Sequence, residues 1–143
     1  MLWRIQNGNL DGIDPKVAVL MIGTNNSTDP NQSPADIAEG IRMIVREIRR
    51  RLPKTKILLL AIFPRGQHST PERERGAETS RLAATLAEGR WIHFLDIGSS
   101  LREADGTIQA EIMPDFLHLS ARGYAAWAQA MAPTLTSLLQ PDD

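Results

Sequence analysis

Val17-Ala18-Val19-Leu20-Met21-Ile22 is an unbroken apolar run closed by Gly23, the pattern of a parallel strand buried on both faces. Ser33-Pro34-Ala35-Asp36 follows with the marks of a helix start: a hydroxyl cap, a proline in the first turn and a carboxylate on the dipole. From there Ile37, Ile41, Ile44, Val45, Ile48 and Leu52 recur at the spacing of one helical face, and Pro53 stops the helix. Residues 56–62 form the second buried strand, and Phe63-Pro64-Arg65-Gly66 opens a polar loop. A helix is expected over residues 72–88, although Gly76 weakens its start. Residues 91–95 are the third strand, leading into Asp96-Ile97-Gly98. After an irregular stretch over 99–119, Ser120 caps a last helix with Tyr124, Trp127, Met131, Leu135 and Leu138 on one face.

The order is β-α-β-α-β-loop-α. Right-handed crossovers make this a parallel sheet covered by helices on both faces, a flavodoxin-like three-layer α/β/α fold. A chain of 143 residues, 42% hydrophobic and 23% charged, with no repeat and no long linker, suits one domain over 1–143. Residues 1–8 read as the last turn of a helix, with Leu2, Trp3 and Ile5 apolar and Gly8 as the stop. That start leads us to expect a domain truncated at its N-terminus, with the 17–22 strand left at an open, apolar sheet edge. Such an edge invites pairing with another chain, so a homo-oligomer is expected.

Charge and composition narrow the function. The net charge of −1 (16 Lys and Arg against 17 Asp and Glu) supplies no general reason to bind nucleic acid. The longest apolar run, 57–63, is far below the ~20 residues of a membrane span. With no Cys there is no disulfide or thiolate nucleophile, which fits a reducing, cytoplasmic setting. Leu2-Trp3-Arg4 after Met1 lacks the shape of a signal peptide, and a leader ahead of Met1 would reopen secretion. His68 reads as solvated and His93 as a packed strand residue. Neither joins a ligand cluster, so no metal is expected. Arg42, Arg46, Arg49, Arg50 and Arg51 lie opposite the helix stripe and read as a solvated face. With no Gly-x-Gly-x-x-Gly and no P-loop, no nucleotide or other cofactor is expected.

Ligands of open parallel sheets bind beyond the carboxyl ends of the strands. Three groups fall there: Gly23-Thr24-Asn25-Asn26, Pro64-Arg65-Gly66 and Asp115-Phe116-Leu117-His118. A carboxylate three residues before an imidazole can accept the Nδ1 proton, which frees Nε2 to act as a general base. The Asn amide is a fixed neutral donor for a developing oxyanion, and glycine lets the chain turn sharply after a strand. Each group also has a plain reading, a surface Asp–His pair or an ordinary turn.

In order, these pieces resemble the SGNH (GDSL-type) esterases and acylhydrolases. Residues 19–26 are similar to their block III and residues 115–119 to their block V. The likeness extends through residues 2–8, 15–17 and 64–66, where the chain resembles the catalytic subunits of the intracellular type I platelet-activating-factor acetylhydrolases. The resemblance implies that His118 is the general base, Asp115 its orienting carboxylate and Asn25 an oxyanion-hole amide. Thr24 and Leu117 would lie near the acyl pocket, with Gly23 and Asn26 supporting it. Asn26 stands where many members have Asp, as in the acetylhydrolase-like branch. Small acyl esters, acetyl esters especially, are the implied substrates.

The family's Gly-Asp-Ser nucleophile block and its block II glycine have no counterpart here. Both precede, in the family, the helix whose end resembles residues 2–5, so the SGNH fold is expected to lack its first strands. Ser27 and Ser120 are the nearest hydroxyls in sequence, and Ser120 is better explained as a cap. The leading expectation is an ester hydrolase of the Ser-His-Asp kind, with impaired activity in this chain alone. The alternatives are a non-catalytic oligomerising or binding module, and a flavodoxin-like ligand domain. The missing phosphate-cradling loop argues against the last.

Overall fold

The computed structural model describes residues 1–141, so residues 142 and 143 of the expected domain lie outside the described residues. The elements are α1 (Leu2–Gln6), β1 (Val17–Leu20), a 3-10 turn (Asn26–Thr28), α2 (Pro34–Arg51) and β2 (Lys56–Leu60). They continue with α3 (Pro71–Ala84), β3 (Ile92–Leu95), a second 3-10 turn (Gly98–Leu101) and α4 (Ala121–Leu139). The three strands are parallel in the order β1-β2-β3, with Val17 opposite Lys56 and Leu60 opposite Leu95.

The period-2 alternation of β2 divides the core between the two faces. Ile57 and Leu59 point into a cluster with Ile5 of α1, the α2 stripe and Ala83 of α3. Leu58 and Leu60 point the other way, against Phe63, Leu101, Met113 and the inner face of α4. The result is the expected three-layer α/β/α arrangement. All six residues of the α2 stripe are buried. The helix starts on a reciprocal capping box: Ser33 Oγ accepts the Asp36 N–H, and Asp36 Oδ2 accepts the Ser33 N–H.

Several expectations need correction. The 17–22 run is not buried on both faces. The strand ends at Leu20 and among the described residues pairs with β2 alone, and Val19 is 40% exposed because α4 leaves part of that sheet face uncovered. The second helix ends at Ala84, not Glu88: the Glu88 carboxylate turns back to accept the N–H groups of Trp91 and Ile92, launching β3. Gly76, a weak helix former, sits where a Cβ would meet Ile62 at 3.4 Å, which explains its place in a buried helix.

On α4 the expected stripe is only partly covered. Tyr124 is exposed and stacks on Trp127, which packs edge-on against Phe63 at 5.1 Å between centroids. The arginine row is not merely solvated. Arg49 closes the end of α2 by donating to the carbonyls of Leu52, Pro53 and Thr55, and lies over the Trp91 ring at 4.7 Å. Arg51 joins α2 to α1 through Gln6 O at 2.7 Å. The hydrogen bonds of Arg50, and then of Arg51, to Glu47 hold its carboxyl down at about 2. Among the described residues no helix is long and apolar enough to cross a membrane.

Candidate active site

The carboxyl ends of β1 and β2 and the segment before α4 converge at one end of the sheet. Gly23, at φ +116°, turns the chain out of β1 in the left-handed region that favours glycine, with the Ile62 side chain where a Cβ would stand. The turn leaves the Asn25 side-chain amide without a hydrogen bond to any described residue, free to donate. Pro64-Arg65-Gly66 runs out after β2, and the Gly66 N–H donates to Phe116 O at 2.8 Å. This ties the second loop to the third.

Within the third loop, Phe116 has φ +57°, the one positive φ outside glycine among the described residues. The bend lets Asp115 reach forward. Its Oδ1 accepts the N–H groups of Leu117 (3.1 Å) and His118 (2.7 Å), and its Oδ2 lies 2.7 Å from His118 Nδ1. The hydrogen bond from the His118 ring, then those from the backbone, hold the Asp115 carboxyl well below the usual carboxylate range. An ionised carboxylate only accepts, so Nδ1 carries a ring proton, and in the neutral imidazole Nε2 then presents the lone pair. The His118 side chain is 80% exposed, so this lone pair is accessible.

His118, Leu117, Thr24 and Asn25 line one cavity of about 210 Å³, walled by Met21, Phe63 and Pro64. Asp115 stands behind them, on the adjoining hollow beside Arg65 and Gly66. Gly23 and Asn26 do not line this cavity. They face a different hollow against α1 and α2, where Asn26 Nδ2 donates to Gln32 Oε1 at 2.8 Å. Of the two serines considered, Ser27 is fully buried, with Oγ donating to Thr24 O at 2.7 Å. Ser120 Oγ donates to Glu111 O and accepts the Gly123 N–H.

Sequence reasoning missed Arg73. Its guanidinium donates to the carbonyls of Arg65 (2.7 Å), Gly66 and Gly106 (2.6 Å), and so braces the 64–66 loop that holds Phe116. A signal was present: an arginine in the first turn of α3 opposes the helix dipole and so calls for another reason to be there. Met21 and Phe63, a strand residue and a loop-edge residue by their sequence pattern, form the apolar side of the cavity.

An α/β/α domain with an Asp–His pair at the carboxyl end of a parallel sheet defines a broad structural class. Within that class, the chain belongs to the GDSL-like lipase/acylhydrolase family, which it matches over residues 1–126. It is 38% identical over 143 residues to platelet-activating factor acetylhydrolase IB subunit alpha1 of Homo sapiens, covering 99% of this chain and 61% of that protein. It is 36% identical over 141 residues to the alpha2 subunit of Gallus gallus, covering 98% of this chain and 60% of that protein. The chain thus spans about three fifths of the length of these relatives. A carbohydrate acetylesterase from Sinorhizobium meliloti shares the fold, with a TM-score of 0.73 at 21% identity, over 96% of this chain and 68% of that one.

Proposed function

We propose that this chain carries the general base, its orienting carboxylate and one oxyanion donor of a serine ester hydrolase for small acyl esters, acetyl esters foremost. The carrying observation is the 2.7 Å contact of Asp115 Oδ2 with His118 Nδ1, made where His118 and the unpaired Asn25 amide share one cavity. In the completed enzyme a serine Oγ attacks the ester carbonyl while His118 Nε2 takes its proton. Asn25 Nδ2–H meets the oxyanion, and His118 returns the proton to the departing alkoxide. Water, deprotonated by His118, then releases the acid. The small cavity and its apolar walls suit a short acyl group, as does the name of the acetylhydrolase relatives.

The nucleophile, in this reading, lies outside these 143 residues, together with the second oxyanion donor. No Gly-Asp-Ser run is present, and the hydroxyls of Ser27 and Ser120 are already committed to backbone carbonyls. The test labels the purified chain with a fluorophosphonate serine-hydrolase probe, read by peptide mass spectrometry, beside a His118→Ala control. No labelled serine is expected. Fusing the acetylhydrolase segment that bears the nucleophile block ahead of Met1 should then produce labelling and acetyl-ester turnover, both lost with His118→Ala. A serine of this chain labelled in a His118-dependent way would overturn the assignment of the nucleophile. A fused, folded protein whose turnover ignores His118 would overturn the site itself.

One observation favours a second role. β1 is paired on one side only and shows Val19 to solvent, so its free edge can accept a strand from a second copy of the chain. Sedimentation over a dilution series should show a reversible oligomer, weakened by Val19→Lys. A monomer at every concentration would remove this reading.

A further inference from the structure

A second hollow is larger than the His118 cavity. It measures about 580 Å³, inside the range of small-molecule sites, and lies between α3, β3 and the 3-10 turn Gly98–Leu101. Ala61, Ile62, Ala77 and Phe94 supply apolar wall, while Arg73 and Arg102 stand on its polar side. We propose that this cavity binds a small amphiphilic monoanion, an alkyl carboxylate, at a site separate from the Asp115–His118 pair.

The fold leaves charge on this wall unneutralised. Arg73 spends three of its N–H groups on backbone carbonyls, which are neutral, and meets no carboxylate among the described residues. Arg102 is exposed and makes no hydrogen bond or ion pair with any described residue. Burial, and then the neighbouring Arg102 charge, push the Arg73 guanidinium down, the response of a partly buried cation with a second cation beside it. Of the other charges on the wall, Arg81 is already paired with Glu78 at 2.6 Å. Asp96 is the single carboxylate, and its Oδ1 is engaged by the Gly98 N–H at 2.7 Å. Two guanidiniums without an ion-pair partner among the described residues, against one carboxylate, leave one positive charge in excess, which sets the ligand as a monoanion. The planar fork of arginine suits a carboxylate head, and the alanine, isoleucine and phenylalanine wall suits an alkyl tail.

The site needs no nucleophile and therefore stands apart from the proposed esterase reading, so it can be tested on the chain as it is. Amide NMR spectra would be followed while octanoate, octan-1-ol or octylammonium is added. Octanoate should give saturable shifts at Phe94, Gly98 and Gly106, and octylammonium none. Arg102→Gln should weaken octanoate roughly tenfold and Arg102→Lys less, because the surface charge can be changed without touching the core. Absence of saturable octanoate shifts would overturn the proposal. So would equal binding of octan-1-ol, equal affinity of Arg102→Gln, or shifts centred on Asn25 and His118.

Discussion

Gly123→Ala is expected to cost about 3 kcal/mol of stability and to unseat the Asp115–His118 loop. Gly123 lies in the first turn of α4, and a Cβ there would stand 2.4 Å from Ile112 O and 2.9 Å from Leu119 Cδ2. A leucine methyl can rotate away, but a backbone oxygen cannot. That carbonyl already accepts the Ser120 N–H at 2.9 Å, and the Gly123 N–H donates to Ser120 Oγ at 3.1 Å. The loop over 112–120 is therefore folded back onto the helix start, with no slack to absorb a methyl group. Either α4 or the loop must move, and the loop carries the imidazole. Urea unfolding reads the stability loss as a lower midpoint at constant slope. The His118 Nδ1–H resonance, observed beside it, should shift or vanish. Gly40→Ala is the control: nothing lies within 4 Å of its new Cβ, and alanine in a helix gains about 0.5–1 kcal/mol over glycine. An unchanged midpoint for Gly123→Ala would mean that the close approach is not a constraint.

The same contrast between local and distant causes explains which parts of the fold could be read in advance. α2 was fully legible because every local signal agreed: the Ser33 cap, Pro34, the six-residue stripe and Pro53 after the end. β2 was legible as a buried strand starting at Lys56, but its apolar run continues past the last paired residues and the strand stops at Leu60, not at 62. The end of β1 was not legible either, because pairing with β2, not hydropathy, decides where a strand stops. Tyr124 has helical spacing with Trp127, yet only tertiary packing determines how far around α4 the core reaches, and it stops short of Tyr124. In the site, the Asp115-x-x-His118 spacing was readable because the contact is local. Arg73 was not, because its partners Arg65, Gly66 and Gly106 come from two loops, one of them 33 residues away. Gly23 and Asn26 share a motif with Asn25 but turn to the opposite hollow, a divergence set by the left-handed Gly23 rather than by residue type.

Asp115→Asn is the second large effect expected, and its direction follows from which oxygen is used for what. Oδ1 of Asp115 is held by two backbone donors, the N–H groups of Leu117 and His118, while Oδ2 faces His118 Nδ1. An asparagine in this place keeps its carbonyl oxygen on the two backbone donors, because an NH2 group there would oppose two N–H groups. Its NH2 then points at Nδ1. A donor facing Nδ1 selects the ring tautomer protonated on Nε2, and that nitrogen can no longer take a proton from a serine. The loop geometry survives and the base is lost. In the enzyme completed with its nucleophile, kcat/KM should fall roughly 10⁴-fold. In the chain as it stands, the ¹⁵N shifts of the His118 ring should exchange between the two nitrogens, a readout that needs no activity. The acid side carries a matching sign. The His118 hydrogen bond lowers the Asp115 pKa in the folded state, so its stabilising contribution is complete above the usual carboxylate range. It fades as pH falls from the usual carboxylate range to the depressed folded-state value, and Asp115→Asn should abolish that part of the acid dependence. A His118 ring pattern in the Asp115→Asn variant identical to the parent's would show that the carboxylate does not choose the tautomer, and the role assigned to Asp115 would fall with it.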